Sequence, residues 1–340
     1  MKVAVLMSGG VDSTVAACLL KEKGYEVIGL TMVNWDTGVG EKAQKAASAL
    51  GLEHIVVDMK EIFQEKVVAY FCRSYEKGET PNPCVECNKY IKFGKLLDIA
   101  LDLGCEKVAT GHYARVEYDE EKNRYLLRQG RDKNKDQSYF LYGLKQRQLE
   151  RILFPLGDFT KPEVREMARA YGLEVAESKE SQEVCFIAGD YRDFLRDKVS
   201  LKPGDFVDLK GRVIGTHKGI PFYTVGQRKG LGLSMGKPVY VLDLDVENNR
   251  IIVDEEVHLF RRVLYAADYN FIMFEELEED IRVLAKVRYR SALSPATVSK
   301  KGDRLKVEFD QPQRAITRGQ SVVFYQGEYV LGGGIIADIV

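Results

Sequence analysis

No stretch of this chain is apolar for long enough to cross a bilayer. Its N-terminus carries one lysine ahead of a short apolar run that serves better as a first strand than as a leader. A membrane or secreted protein is therefore set aside, and a cytoplasmic one is expected. Neither charge dominates: Lys plus Arg number 50 against 51 Asp plus Glu, a formal net charge of -1. Bulk charge thus gives no sign of a polyanionic partner, and any such contact needs a local patch. Histidines are few, and His54, His217 and His258 have no spacing that argues for a metal. No internal repeat or low-complexity segment breaks the pattern. Cys18, Cys72, Cys84, Cys87, Cys105 and Cys185 are not expected to form a disulfide framework in a reducing compartment. Two familiar phosphate loops are also missing. No Gly-Lys-Ser/Thr closes a Walker A loop, and Gly-x-Gly-x-x-Gly is absent.

What is present begins at the first residues. Lys2-Val-Ala-Val-Leu-Met7 is a short apolar run of the kind that fills a buried strand. Ser8-Gly9-Gly10-Val11-Asp12-Ser13 is a small-residue turn, and Thr14 to Lys21 reads as a helix with one buried face. Strand, glycine turn and helix together aim backbone N–H groups at an anion. Gly9 and Gly10 permit positive φ and close approach of a phosphate, and Ser8 and Ser13 add hydroxyls.

The 340 residues suggest two or three domains, and 45% hydrophobic with 30% charged composition supports ordinary cores. Further strands are expected at 25–33, 54–58 and 107–112, with helices between them, one of them at 60–77. That alternation predicts a parallel, doubly wound α/β sheet. Met32 would lie at its carboxyl edge, where open sheets of this kind bind ligands. A hairpin is expected at 114–118 and 124–128, and a short charged segment at 180–187. Glycine-rich short strands then follow from Lys202, with a hairpin around Asn248-Asn249. Residues 261–270 read as a join. Strands at 282–290, 296–299, 304–309, 321–325 and 329–336 suggest a small antiparallel barrel. The expected domains are 1–195, 200–262 and 265–340.

Cys84-Val-Glu-Cys87 follows Pro81-Asn82-Pro83 and precedes a helix at 90–103. The positive end of that helix is expected to lower the Cys87 thiol pKa. Cys18, Cys72 and Cys105 sit in or beside apolar helical contexts and read as core. Late in the chain, Arg282, Lys286, Arg288, Arg290, Lys300, Lys301, Arg304, Lys306, Arg314 and Arg318 outnumber Asp303, Glu308 and Asp310. On an extended strand Lys286, Arg288 and Arg290 would share one face, with Tyr289 opposite.

The Ser8–Ser13 string resembles the pyrophosphate loop of N-type ATP pyrophosphatases. With Asn82-Pro83 ahead of Cys87-Asn88, Ile91-Lys-Phe93, Thr110-Gly-His112-Tyr-Ala114, Asp136-Gln-Ser-Tyr-Phe-Leu141, Val184-Cys-Phe-Ile187 and Thr224 to Gly232, the chain resembles the tRNA-specific 2-thiouridylases over nearly its whole length. That resemblance implies an adenine nucleotide alpha hydrolase-like fold. It also implies ATP-dependent 2-thiolation of the wobble uridine, position 34, of tRNA: adenylation of O2, then displacement of AMP by sulfur. It implies nucleotide contacts from Leu6, Met7, Ser8, Gly9, Gly10, Val11, Asp12, Ser13, Met32 and Gly111, with Asp12 a partner for Mg2+. It makes Cys87 the nucleophile and Cys185 the persulfide carrier, joined transiently as a disulfide. It implies tRNA contacts from Asn82, Pro83, Cys84, His112, Lys135, Asp136, Gln137, Arg288, Tyr289, Arg290 and Gln320, and a sulfur donor that is a protein persulfide relay or sulfide. Arg128, Arg131 and Lys133 lead into that region.

Two departures stand out. Most members carry Asp at the position of Cys84, and a longer insertion between Asn34 and Glu41. Three cysteines, Cys84, Cys87 and Cys185, can ligate a [4Fe-4S] cluster with one open iron, so cluster-bound sulfide and a persulfide–disulfide cycle are both open. The rival readings are another adenylating ligase, such as an argininosuccinate-synthase-like enzyme, and a non-catalytic iron–sulfur or RNA-binding protein.

Overall fold

The structure is a computed structural model that describes residues 1–35, 38–177, 184–187 and 189–340. Its first sheet contains β1 (Lys2–Leu6), β2 (Glu26–Val33), β3 (His54–Asp58) and β4 (Lys107–Ala109). After a hairpin of β5 (Ala114–Asp119) and β6 (Arg124–Gln129), β7 (Ile152–Leu153) completes it. All five strands are parallel, in the order β3-β2-β1-β4-β7. Successive side chains of a strand point to opposite faces. On β1 this sends Val3 and Val5 into one core with Ala17, Leu20, Ala43 and Ala47. Ala4 goes to the other face, with Phe63, Phe71, Ile91 and Leu97. Both faces are covered by helices, so β1 has to be apolar throughout, and the fold is doubly wound as expected. Helices α1 (Val11–Glu22) and α2 (Val39–Ala49) cover the first face.

The central unit is a four-stranded sheet of β8 (Gly204–Val207), β9 (Val213–His217), β10 (Tyr240–Asp245) and β11 (Arg250–Asp254), in the order β10-β11-β8-β9. Asn249 adopts φ +51° in the expected turn. Six strands then form the barrel: β12 (Phe260–Phe271), β13 (Ile281–Lys286), β14 (Ser294–Lys301), β15 (Arg304–Arg314), β16 (Ser321–Gln326) and β17 (Tyr329–Ile339). Pairing of β17 with β12 closes it.

Three expectations change. Residues 261–270 are not a join: they lie within β12, the strand that closes the barrel, so the barrel starts at Phe260. The strand expected at 282–290 stops at Lys286, because 287–290 turn away. The β5–β6 hairpin leaves the first unit's sheet and pairs with the barrel through Tyr329 and Arg128. Of the segment expected at 180–187, residues 180–183 lie outside the described residues, as do 36 and 37 in the shortened loop after Asn34.

Candidate active site

The loop between β1 and α1 is held by its own serine. Ser13 Oγ donates to Gly10 O at 3.2 Å and accepts from Ser8 N at 3.2 Å, and Ser8 Oγ lies 3.3 Å from it. Gly10 is the N-cap of α1 and has no side chain, so the first N–H groups of that helix carry no side-chain cap. Gly9 has φ +70°, and a Cβ there would lie 2.6 Å from the Lys42 carbonyl carbon, so only glycine lets α2 close on the loop. A Cβ at Gly111 would lie 2.7 Å from the Asp12 carbonyl carbon. Gly111 therefore lies against the first turn of α1. Met7 forms the floor, donating its N–H to Leu30 O at 2.9 Å and accepting from Thr31 Oγ1 at 2.8 Å. Leu6 and Met32 pack on the core that also holds Cys87, and Val11 packs with Val15 and Tyr113.

Asp12 does not stand open for a cation. Lys161 Nζ lies 2.6 and 2.8 Å from its two oxygens, and Tyr113 Oη donates to Oδ1 at 2.8 Å. With both oxygens held by an ammonium, Asp12 does not fit as a magnesium ligand in this arrangement. Lys161 is distant in sequence and belongs to no loop motif, so nothing in the sequence marked it.

The thiol helix opens with Pro83 in its first turn, where a missing N–H costs nothing. It runs Pro83–Glu86, then Cys87–Lys95 in π geometry, then Leu96–Asp102. In a π turn residues five apart face the same side, which brings Lys92 onto the side of Cys87. Cys87 is 7% exposed, whereas Cys84 and Cys185 are exposed. Burial pushes the Cys87 thiol up to about 12. Lys92 opposes this in part, and Cys185 and Cys84 add to it. The expected lowering by a helix start is thus overturned: Cys87 lies a turn inside the helix, and loss of water outweighs the dipole. Cys84 is raised by burial too, with Lys92 opposing and Cys185 adding.

Cys185 accepts a 3.7 Å contact from Asn34 Nδ2, just beyond the carboxyl end of β2. The next residue, Phe186, packs edge-on against Phe63 and Phe71 at 5.5 and 5.4 Å. It shares a core with Cys87. The three thiols therefore converge at the carboxyl edge of the sheet. All six cysteines are free, and Cys18, Cys72 and Cys105 are core or half-buried, as expected. Among the described residues no group of three His, Cys, Asp or Glu side chains is arranged to hold a metal ion. Cys84, Cys87 and Cys185, which act on one another's charge, are the residues that would hold a [4Fe-4S] cluster. His112 is buried between Phe93 and Phe154, 2.7 Å from Thr110 Oγ1. Burial, then Lys92, lowers its pKa well below the ordinary value, so the ring is neutral.

Most residues expected to meet RNA also have partners within the protein. Asp136 is 4% exposed and accepts from Gln129 Nε2, Gly130 N, and both Ser138 N and Oγ. Gln137 Oε1 accepts from Tyr113 N at 3.0 Å, and Lys135 N donates to Asp132 O. Arg288 sits in the turn after β13 and donates to Val225 O at 3.2 Å and Ala315 O at 2.7 Å, and also to Thr317 Oγ1. Gln320 Nε2 donates to Thr80 O at 2.9 Å and Pro81 O at 3.3 Å, tying the barrel to the start of the thiol helix. Tyr289 packs on Phe140 at 4.5 Å, Asn82 and Pro83 are buried, and Arg290 is exposed.

The basic face is largely neutralised. Arg282 pairs with Asp310, Lys300 with Glu276, Arg304 with Asp338, Lys306 with Glu308, Arg314 with Glu256 and Arg318 with Asp243. Four of these acids, Asp243, Glu256, Glu276 and Asp338, lie outside a window over the basic run. Lys286, Arg290 and Lys301 are left without an ion pair among the described residues. A cavity of about 270 Å³ opens elsewhere on the thiol helix, lined by Tyr70, Glu86, Lys89, Tyr142, Lys145 and Asp268, and none of the expected site residues lines it.

An α/β unit with a serine-glycine loop after its first strand and thiols at its sheet edge, followed by a small β unit and a closed barrel, defines a nucleotide-dependent enzyme class. Families described as tRNA methyl transferase HUP domain, tRNA methyl transferase PRC-barrel domain and Aminomethyltransferase beta-barrel domain match residues 1–189, 192–255 and 261–336. The chain is 58% identical over 337 residues to the tRNA-specific 2-thiouridylase MnmA of Syntrophomonas wolfei subsp. wolfei, covering 99% of this chain and 100% of that protein. It is 52% identical to the protein of that name from Moorella thermoacetica, covering 98% and 99%. The chain belongs to the tRNA-specific 2-thiouridylase family. No helix among the described residues is long and apolar enough to cross a membrane.

Proposed function

We propose that this chain uses ATP to replace O2 of the wobble uridine of tRNA, position 34, with sulfur. The observation that carries the reading is the convergence of Cys84, Cys87, Cys185 and Lys92 at the sheet edge where the Ser8–Ser13 cradle opens. A uridine oxygen is a poor leaving group until it is phosphorylated. In the first step O2 attacks the α-phosphorus of ATP and pyrophosphate leaves. Uncapped N–H groups at the start of α1 and the serines of the loop hold the phosphates. Magnesium, when bound, would supply charge neutralisation on the phosphates, and Asp12, held by Lys161, is not placed to ligate it.

In the second step Cys185, exposed and able to meet a donor, carries a persulfide. Its outer sulfur attacks C2 and AMP departs. The Cys87 thiolate then attacks the Cys185 sulfur, the S–S electrons pass to the uridine sulfur, and a Cys87–Cys185 disulfide remains for an external thiol to reduce. Cys84 replaces the usual carboxylate beside the base. A protein persulfide relay is the donor: its outer sulfur passes to the Cys185 thiolate as the donor's own thiolate leaves, and the tRNA pool makes the cytoplasm the expected compartment. In this reading the chain divides into a catalytic unit at 1–195, a central unit from 200 and a barrel from Phe260.

The test is 2-thiouridine formation and tRNA-dependent ATP–pyrophosphate exchange in Cys185→Ser and Cys87→Ser. Thiolation is expected to fall at least a thousandfold in both, while exchange persists. Thiolation that survives in Cys185→Ser would sink the persulfide route. Exchange that needs no tRNA would favour a small-molecule ligase.

A further inference from the structure

Cys185 is exposed and lies far in sequence from the other thiols, so its sulfur has to be held where the chemistry needs it. The fold supplies an anchor at the end of β2. That strand lies between β1 and β3, and its last residue, Val33, accepts from Met59 N at 2.9 Å. Asn34 follows directly and is 8% exposed, so it sits on a fixed platform. Its Nδ2 donates to Cys185 Sγ at 3.7 Å, across 151 positions of the chain. The next residue makes an apolar contact with the same segment. Trp35 packs on Phe186 at 6.4 Å and on Phe194, of the short helix Tyr191–Leu195, at 6.2 Å. Phe186 and Phe194 also meet each other at 5.3 Å. Ile187 N donates to Val184 O at 2.9 Å, which turns the chain around Cys185. Two consecutive residues of one segment thus grip two consecutive residues of another, an amide on the sulfur and an indole on the ring beside it.

We propose that Asn34 is the positioning residue for Cys185, its amide holding Sγ in line for attack by Cys87. The proposal rests on the persulfide reading of Cys185. Once the outer sulfur has attacked C2 and AMP has left, the uridine is joined to Cys185 through a sulfur–sulfur bond. Cys87 then attacks Sγ from the side opposite that bond, and the S–S electron pair leaves with the uridine sulfur. The three sulfurs have to lie in line for this exchange, and a small misplacement of the central one is costly. Cys87 is 7% exposed and packed in the core, so it cannot follow a sulfur that wanders. A neutral amide suits the holding task. It keeps its donor whether Sγ is a thiol, a persulfide or half of a disulfide, whereas an ammonium favours the thiolate above the others.

The test uses the full-length protein, an unmodified tRNA transcript, ATP and cysteine hydropersulfide, whose outer sulfur passes to Cys185 as cysteine leaves. A single turnover is followed without reductant. The adduct of uridine and Cys185 is read as tRNA retained on protein in a denaturing gel and released by dithiothreitol. Asn34→Leu is expected to slow release of 2-thiouridine tRNA by about tenfold to a hundredfold, the range for a displaced reacting atom. The adduct should accumulate, as it does in Cys87→Ser, while tRNA-dependent ATP–pyrophosphate exchange stays within about twofold of wild type. Should Asn34→Leu not fold, Asn34→Asp, which keeps the size but has no N–H to donate, makes the same comparison. Unchanged release overturns the proposal. So does slow release without adduct, because the fault then lies before the exchange of sulfurs. An equal fall in exchange activity overturns it too, since that marks a purely structural contact. Thiolation that survives in Cys185→Ser overturns the persulfide reading itself, and the proposal with it.

Discussion

Cys87 is expected to be the slowest of the three site sulfurs in the free enzyme, although the proposed chemistry needs it as a thiolate. Burial lifts its thiol from the ordinary 9.0 to about 12. That shift is worth roughly 4 kcal/mol at about 1.4 kcal/mol per unit. At pH 8 about one molecule in ten thousand would carry the thiolate, against about one in ten for an ordinary thiol. Alkylation by iodoacetamide, followed at each cysteine by peptide mass spectrometry, should therefore accelerate close to tenfold per pH unit at Cys87 up to about pH 11. Lys92→Met should slow it further, because Lys92 is the group that opposes the rise. The shift also acts on stability. Native Cys87 keeps its proton while the unfolded chain loses it above the ordinary pKa. The contribution is therefore whole below about pH 9 and is lost between 9 and about 12, at roughly 1.4 kcal/mol per unit. Urea midpoints of wild type should fall more steeply over that window than those of Cys87→Ala. An inflection in Cys87 alkylation at or below pH 9 would refute the burial argument, and the thiol would then be pre-activated in the resting enzyme.

Glu328, in the turn between β16 and β17, bonds Lys133 and Arg128 at 3.0 Å and Arg115 at 2.9 Å, which hold its carboxyl at about 2 with Lys133 first. Its side chain is 43% exposed, so screening limits its contribution to about 1 kcal/mol. That contribution is present above the ordinary carboxylate pKa and lost as pH falls toward 2. Glu328→Gln should lower the urea midpoint at pH 7 and match wild type near pH 2, and an equal difference at both would disprove the linkage. Gly111→Ala places a methyl 2.7 Å from the Asp12 carbonyl carbon. The KM for ATP should rise about tenfold or more with tRNA affinity unchanged, and an unaltered KM would mean that the loop does not hold the nucleotide.

The class of fold was legible because β1, β2 and β3 are short strands each followed by a helix. Burial on both faces leaves no other pattern for β1. The cradle was legible for a similar reason: Gly9 cannot carry a side chain where α2 closes, and that constraint is local. The hairpin at Asn248-Asn249 was readable from its turn residues alone. The barrel was readable strand by strand, but not its closure. Residues 261–270 pair with strands 40 to 80 positions away, and no local signal separates such a strand from a join.

The site shows the same division. Sequence alone determined which residue types were available: serines and glycines at a strand end, and three cysteines with a lysine among them. The loop and the Cys84–Lys92 run each follow from spacing along one segment, whereas Cys185 comes from a distant one. Tertiary structure decided their states. Cys87 lost its water and with it an easy thiolate, because charge is set by what surrounds a sulfur in three dimensions. Arg288, Asp136 and Gln320 became joints, since carbonyls and amides from distant segments were brought within hydrogen-bond reach. The basic face found acids on neighbouring strands. Lys161 reached Asp12 only because two helices pack together, and a contact of that range leaves no trace in the order of residues.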